Sequence, residues 1–121
     1  MIKTFEELEC WQLARQLVNS VFQLCDAGKL SRDFDLRSQF RRAAFSCMNN
    51  IAEGFGRRKS QLEFIRFLDY AQGSCCEVRS ITYVVEDRKY AELEKILSIR
   101  AQAEQVKMKS LALIAAIRKN L

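Results

Sequence analysis

Residues 49 to 60, Asn-Asn-Ile-Ala-Glu-Gly-Phe-Gly-Arg-Arg-Lys-Ser, gather two amides, a carboxylate, two glycines, three cations and a serine. Two chemistries use such groups. Glycine-rich turns present backbone amides to phosphates, and a carboxylate beside an amide can move protons. A phosphate loop joins a strand to a helix with Walker spacing, whereas this stretch follows a helical pattern and lacks that spacing. Acid–base work by Glu53 beside Asn50 lacks the usual partner, because the chain contains no histidine. The same absence removes a frequent zinc ligand. The five cysteines are Cys10, Cys25, Cys47, Cys75 and Cys76. The adjacent Cys75-Cys76 pair points to different faces of a helix and is not a CxxC motif, so the thiols are expected to be buried. No nucleophile–base pair and no metal cluster stands out. The expectation is a protein without catalytic residues, metal or cofactor.

Charge narrows the remaining options. Of a net +5, residues 32 to 66 hold +4: Arg32, Arg37, Arg41, Arg42, Arg57, Arg58, Lys59 and Arg66 stand against Asp33, Asp35, Glu53 and Glu63. A basic concentration attracts phosphates. The other reading of the same charges is a solvated face.

The elements that must position these groups are helices. Proline is absent and glycine occurs four times, which suits long uninterrupted helices. Leu8, Trp11, Ala14, Val18, Val21 and Cys25 predict a first helix over roughly 5–27, closed near Gly28 as a left-handed residue. Leu36, Phe40, Ala43, Cys47, Ile51 and Phe55 predict a second over roughly 34–55, with Asp33 or Asp35 as N-cap. Ser60-Gln61-Leu62-Glu63 reads as a capping box opening a third over roughly 60–87. Its apolar face runs from Phe64, Phe67 and Leu68 to Val85. Ile96, Ile99, Ala103, Val106, Ser110, Leu113, Ile117 and Leu121 predict a fourth over roughly 90–120. Hydrophobic residues make up 49% of the 121 and charged residues 29%, a globular composition that fits one domain over 1–121. The predicted fold is an all-α, antiparallel up-down-up-down four-helix bundle. No apolar run approaches the ~20 residues of a membrane span, and Glu6, Glu7 and Glu9 argue against a signal peptide. A soluble, cytoplasmic protein is expected.

Two further patterns bear on assembly. Cys10, Leu13, Leu17 and Leu24 form a second apolar stripe on the first helix, and Leu97, Met108, Leu111 and Ala115 widen the fourth. We expect a homo-oligomer that buries these stripes. On the second helix, Gln39, Arg42, Ser46, Asn50 and Glu53 share one polar column, roughly opposite Phe40, Cys47 and Ile51. Arg42 is placed to reach Ser46, and Glu53 to pair with Arg57. Such mixed donors and acceptors fit a covered surface, so loss of Arg42 or Glu53 is expected to weaken folding or assembly. Gly54 and Gly56 are read as the turn after this helix. Gly73-Ser74, inside the third helix, is read as a close approach of another helix, with Glu77 facing the same neighbour.

The order Phe5, Leu8, Trp11, Ala14, then Gln39-Phe40-Arg41-Arg42-Ala43-Ala44, Ser46, Asn50-Ile51-Ala52-Glu53-Gly54, Glu63-Phe64, Phe67-Leu68, Ala71 and Gly73-Ser74-x-x-Glu77 resembles the bacterial four-helix bundle proteins associated with intervening sequences in 23S rRNA. The resemblance spans nearly the whole chain. It implies a bundle that assembles as a ring-like pentamer, with no enzymatic activity. Related bundles serve as accessory proteins of diversity-generating retroelements, where a basic pentameric barrel binds a reverse transcriptase and nucleic acid. Many relatives carry a proline where this chain has Cys47-Met48-Asn49, which implies a straighter second helix here.

Three functions follow as expectations. The first is a non-catalytic scaffold that binds structured RNA or DNA through Arg37, Arg41, Arg57, Arg58, Lys59 and Arg66. With no RNA-binding motif or stacking platform in view, it would recognise backbone or shape. The second is an accessory subunit that binds a reverse transcriptase and its nucleic acid. The third, an enzyme built on Glu53 or the thiols, is disfavoured for the reasons given above.

Overall fold

Four apolar series become four helices in a computed structural model that describes residues 1–121. They are α1 (Glu9–Cys25), α2 (Phe34–Gly56), α3 (Gln61–Asp87) and α4 (Leu93–Lys119), and the chain is all-α. The first helix begins four residues later than its apolar pattern predicts. Phe5–Glu7 form a separate 3-10 turn, and the Glu7 carboxylate accepts from the Lys3 and Thr4 amides at 2.8 Å each. Those amides lower the Glu7 pKa and satisfy the turn locally, leaving Leu8 extended before α1.

The connections follow capping chemistry. Gly28 is left-handed at φ 57°, as its position predicts, and starts a 3-10 turn over Gly28–Arg32 that buries Leu30. Asp33 caps α2 by accepting from the Leu36 amide at 3.2 Å. Ser60 caps α3 by accepting from the Glu63 amide at 3.2 Å. The reciprocal half of the expected capping box is not made. Glu63 turns instead to Arg66 at 2.9 Å and Arg57 at 3.8 Å, while the Ser60 amide donates to the Arg57 carbonyl. At the far end of α3, Lys89 takes the left-handed position that glycine usually holds, with φ 57°. The Tyr90 amide then reaches back to the Val85 carbonyl at 3.0 Å, which satisfies a carbonyl of the last turn. Tyr90 Oη also donates to Asp33 Oδ2 at 3.1 Å, so the α3–α4 connection is tied to the cap of α2.

Each helix packs against two others: α1 against α2 and α4, and α3 against the same two. Glu9 meets Lys109 at 2.7 Å and Ser20 meets Gln102 at 3.0 Å across α1 and α4. Arg79 meets Glu104 across α3 and α4. Phe40, Leu17, Leu30, Ile51, Leu68 and Ile96 are among the fully buried side chains at the centre. No helix is long and apolar enough to cross a membrane.

The core is broader on α1 than its first stripe alone would make it. Cys10, Leu17 and Leu24, assigned above to an assembly surface, are buried within the chain itself, and Leu13 is half-buried. A helix squeezed between α2 and α4 needs two apolar stripes, one for each neighbour. On α4 the expectation stands differently. Leu97, Met108 and Leu111 remain exposed, as does Ala115, while Ile114 rather than Leu121 completes the buried face.

Candidate functional site

The polar column of α2 does not lie opposite the core throughout. Ser46 and Asn50 sit at the seam with α3, half-buried. Asn50 Nδ2 donates to Ser46 Oγ at 2.9 Å and to the Ser46 carbonyl at 2.8 Å. Ser46 Oγ also stands 2.7 Å from Ser74 Oγ of α3, and Ser74 is buried. These short groups match one another across the seam, so the Ser46 hydroxyl is already engaged by Asn50 and Ser74. Gln39, Arg42 and Glu53 are exposed. Arg42 does not reach Ser46, contrary to expectation, because Asn50 and Ser74 occupy that hydroxyl. Gln39, Arg42, Ser46 and Glu77 share an open groove between α2 and α3 with Ala43 and Ile81. Glu53 does pair with Arg57, at 3.1 Å on the surface.

The glycines divide differently from the sequence reading. Gly54 is inside α2 and buried, not in a turn. A Cβ there would stand 2.8 Å from the Phe67 Cβ and 3.3 Å from the Phe64 carbonyl, so glycine lets α2 and α3 touch. Gly56 ends α2 with open space around it, and so does Gly73 in α3. Gly73 therefore makes no close helix contact within the chain, and Glu77 beside it is exposed. The contact expected of Gly73 is made one helix away, by Gly54.

The basic residues form two groups at opposite ends of α2, about 30 Å apart along the helix axis. At the C-terminal end, Arg57, Arg58, Lys59 and Arg66 gather on the turn into α3. Arg58 lies 4.0 Å over the Phe55 ring, and Arg57 and Arg66 lie 5.0 and 5.6 Å over Phe67. Glu53 and Glu63 are the carboxylates among them. At the N-terminal end, Arg37 is held by Asp26 at 2.9 Å, while Arg41 lies 4.3 Å over Phe22. Arg41 and Arg42 form no ion pair. The structure thus does not unite the six arginines and lysines of the predicted surface into one patch.

Sequence reasoning missed the aromatic residues between these cations. Phe34 is 73% exposed and Phe45 40% exposed, and Phe45 stacks edge-on against Phe22 at 5.0 Å. The spacing of Phe34, Ser38, Arg41 and Phe45 at four, three and four residues is a one-face helical pattern. It was readable, but apolar residues at that spacing are ordinarily assigned to a core.

Four of the five thiols are packed inside the bundle. Cys10, Cys25, Cys47 and Cys75 are buried and Cys76 is exposed. Burial pushes the Cys10 and Cys25 thiols up to about 11. Cys47 is raised by its hydrogen bond with Cys75, 3.5 Å away across the α2–α3 seam, and by burial. Protonated, enclosed thiols are poor nucleophiles.

Comparison with known proteins agrees with this architecture. The family model described as 23S rRNA-intervening sequence protein matches residues 6–111. Among solved structures, the chain is similar to a protein of unknown function from the S23 ribosomal protein family of Bacteroides thetaiotaomicron. The two share 20% identity and a TM-score of 0.72, over 87% of this chain and 94% of that one. No curated protein matches.

Proposed function

The chain belongs to the 23S rRNA-intervening sequence protein family, and from that premise we propose that it is a non-catalytic, homo-oligomeric scaffold that associates with nucleic acid. The observation that carries this reading is the turn from α2 into α3. There Arg57 pairs with Glu53 and Glu63 and Arg66 with Glu63, while Arg58 and Lys59 on the same turn form no ion pair, leaving a net positive edge. Cation–aromatic stacking and ion pairs hold the arginines in place without neutralising the group, and a fixed positive edge attracts phosphate.

In this reading the bundle runs up-down-up-down. The pairing of Glu9 with Lys109 and of Ser20 with Gln102 supports opposite directions for α1 and α4. Copies assemble as a ring-like pentamer through the exposed apolar residues of α4, Leu97, Met108 and Leu111. Repetition of the positive edge around such a ring multiplies its field. Catalysis is left out of the proposal for a chemical reason: Asn50 is occupied by Ser46, Glu53 by Arg57, and the buried thiols are protonated. The cytoplasm is the proposed location.

Binding of the purified protein to structured rRNA fragments, measured at low and at moderate salt, tests the reading. Binding that weakens steeply with salt is expected, because each neutralised phosphate releases counterions. No binding at low salt, or binding indifferent to salt, contradicts it. Light scattering of the same sample reads the assembly, and a monomer there refutes the ring.

A further inference from the structure

We infer that the outer face of the N-terminal half of α2 is a binding site for single-stranded nucleic acid, separate from the basic turn at the helix's other end. The inference rests on the nucleic-acid reading and adds the class of ligand. Phe34, Arg37, Ser38, Arg41, Arg42 and Phe45 line one open groove of about 350 Å³. Phe34 and Phe45 are eleven residues apart, which places them on one face about 16 Å apart along the axis. Both rings are exposed, and Arg41 and Arg42 lie between them without ion pairs.

This combination selects its occupant. Two exposed rings flanking unpaired guanidinium groups match a polyanion whose aromatic faces are free. A duplex offers phosphates and groove edges but no free base faces along its length, since its bases are stacked on each other. An unpaired strand offers both, with phosphates for Arg41 and Arg42 and base faces for Phe34 and Phe45. The charge disfavours a twofold contact between copies on this face, which would oppose arginines to arginines, and a ring contact through it is the outcome that light scattering of the Phe34→Ala variant reads. Asp35, the one carboxylate between residues 34 and 45, is turned about 100° from Phe34. Phe45 is the more rigid ring, braced by Phe22. Phe34, at the first position of α2, is the freer one.

The test is fluorescence polarisation with the full chain, labelled oligouridylate of about a dozen nucleotides, within the usual span of such sites, and an RNA duplex of equal length. Wild type is expected to prefer the single strand. Phe34→Ala is expected to weaken single-strand binding roughly tenfold, the scale of one lost base stack, and to leave duplex binding unchanged. Phe34→Tyr should restore it, since the ring face is kept. Phe34 is 73% exposed, so these variants are expected to fold as wild type; Phe45→Leu, which keeps an apolar side chain beside Phe22, is expected to weaken single-strand binding in the same way. Equal affinity for both RNAs with no response to Phe34→Ala overturns the single-strand site while leaving nucleic-acid association standing. Binding to neither RNA at low salt overturns both. A Phe34→Ala variant that shifts to a smaller species in light scattering makes this face a subunit contact and overturns the site as well.

Discussion

The two faces of α2 carry similar residue types to opposite ends. On the inner face, Phe40, Phe55 and Gly54 are buried, and half-buried Ser46 is matched by Ser74 across the α2–α3 seam. On the outer face, Phe34, Ser38 and Phe45 stand in solvent among arginines. A phenylalanine or serine is therefore no evidence of role by itself. What decides is whether a second helix covers it, and in this bundle the cover ends abruptly around the circumference of one helix.

The contrast is most forcefully tested where burial is complete. Phe40→Ala is expected to cost about 3–5 kcal/mol in denaturant unfolding, from lost transfer energy and the cavity left behind. Phe34→Ala in the same experiment should change stability by no more than about 0.5 kcal/mol. Comparable losses at the two positions would erase the distinction between the faces.

A pair of glycines sharpens it next. Gly54→Ala places a methyl against Phe67 and the α3 backbone, and is expected to destabilise by about 1–3 kcal/mol from overpacking. Gly73→Ala, with open space around it, should stabilise by about 0.5–1 kcal/mol through the unfolded chain and helix propensity. A Gly73→Ala variant that instead dissociates an oligomer would mean that a neighbouring copy covers α3 there.

These glycines also show how much was legible in the sequence. The four helices, their apolar faces and the Asp33 and Ser60 caps follow from spacing and capping chemistry, because those signals are local. Gly54 was misread as a turn residue because its neighbours, Phe64 and Phe67, come from another helix, and proximity across a seam has no local signature. The same is true of Ser46, whose partner proved to be Ser74 rather than Arg42. Leu17 and Leu24 seemed surplus because the α1 surface facing each neighbour was underestimated. Phe34 and Phe45 were passed over for the converse reason: their period is correct for a core, but α1 reaches this face only through Phe22, beside Phe45.

The buried thiols of α1 give a graded, pH-dependent check. Cys10 and Cys25 are pushed up to about 11 in the folded chain, above the ordinary thiol value of about 8.5. The unfolded chain therefore loses thiol protons first, so stability should be full below pH 8 and decline as pH rises from about 9 through 11. Urea midpoints across that range read the decline, and a midpoint that rises with pH would contradict the burial. In native protein near pH 8, a thiol reagent should modify Cys76 rapidly and the four buried cysteines only on unfolding.

The smallest effects belong to Arg42 and Glu53. Each is exposed, so Arg42→Ala and Glu53→Ala should shift folding stability within about 0.5 kcal/mol. This replaces the larger loss expected from the sequence alone. Loss of Arg42 should be felt in binding, and the loss of assembly expected for both residues is read separately by light scattering.

That division is tested most directly by the salt dependence of single-stranded RNA binding, compared between wild type and Arg41→Gln/Arg42→Gln with thermal unfolding as a control for folding. Each phosphate contact contributes about 0.7 to the slope of log affinity against log salt for a single strand. The outer face of α2 predicts a slope shallower by about 1.4 in the double variant, with wild-type thermal stability. An unchanged slope and affinity would contradict it.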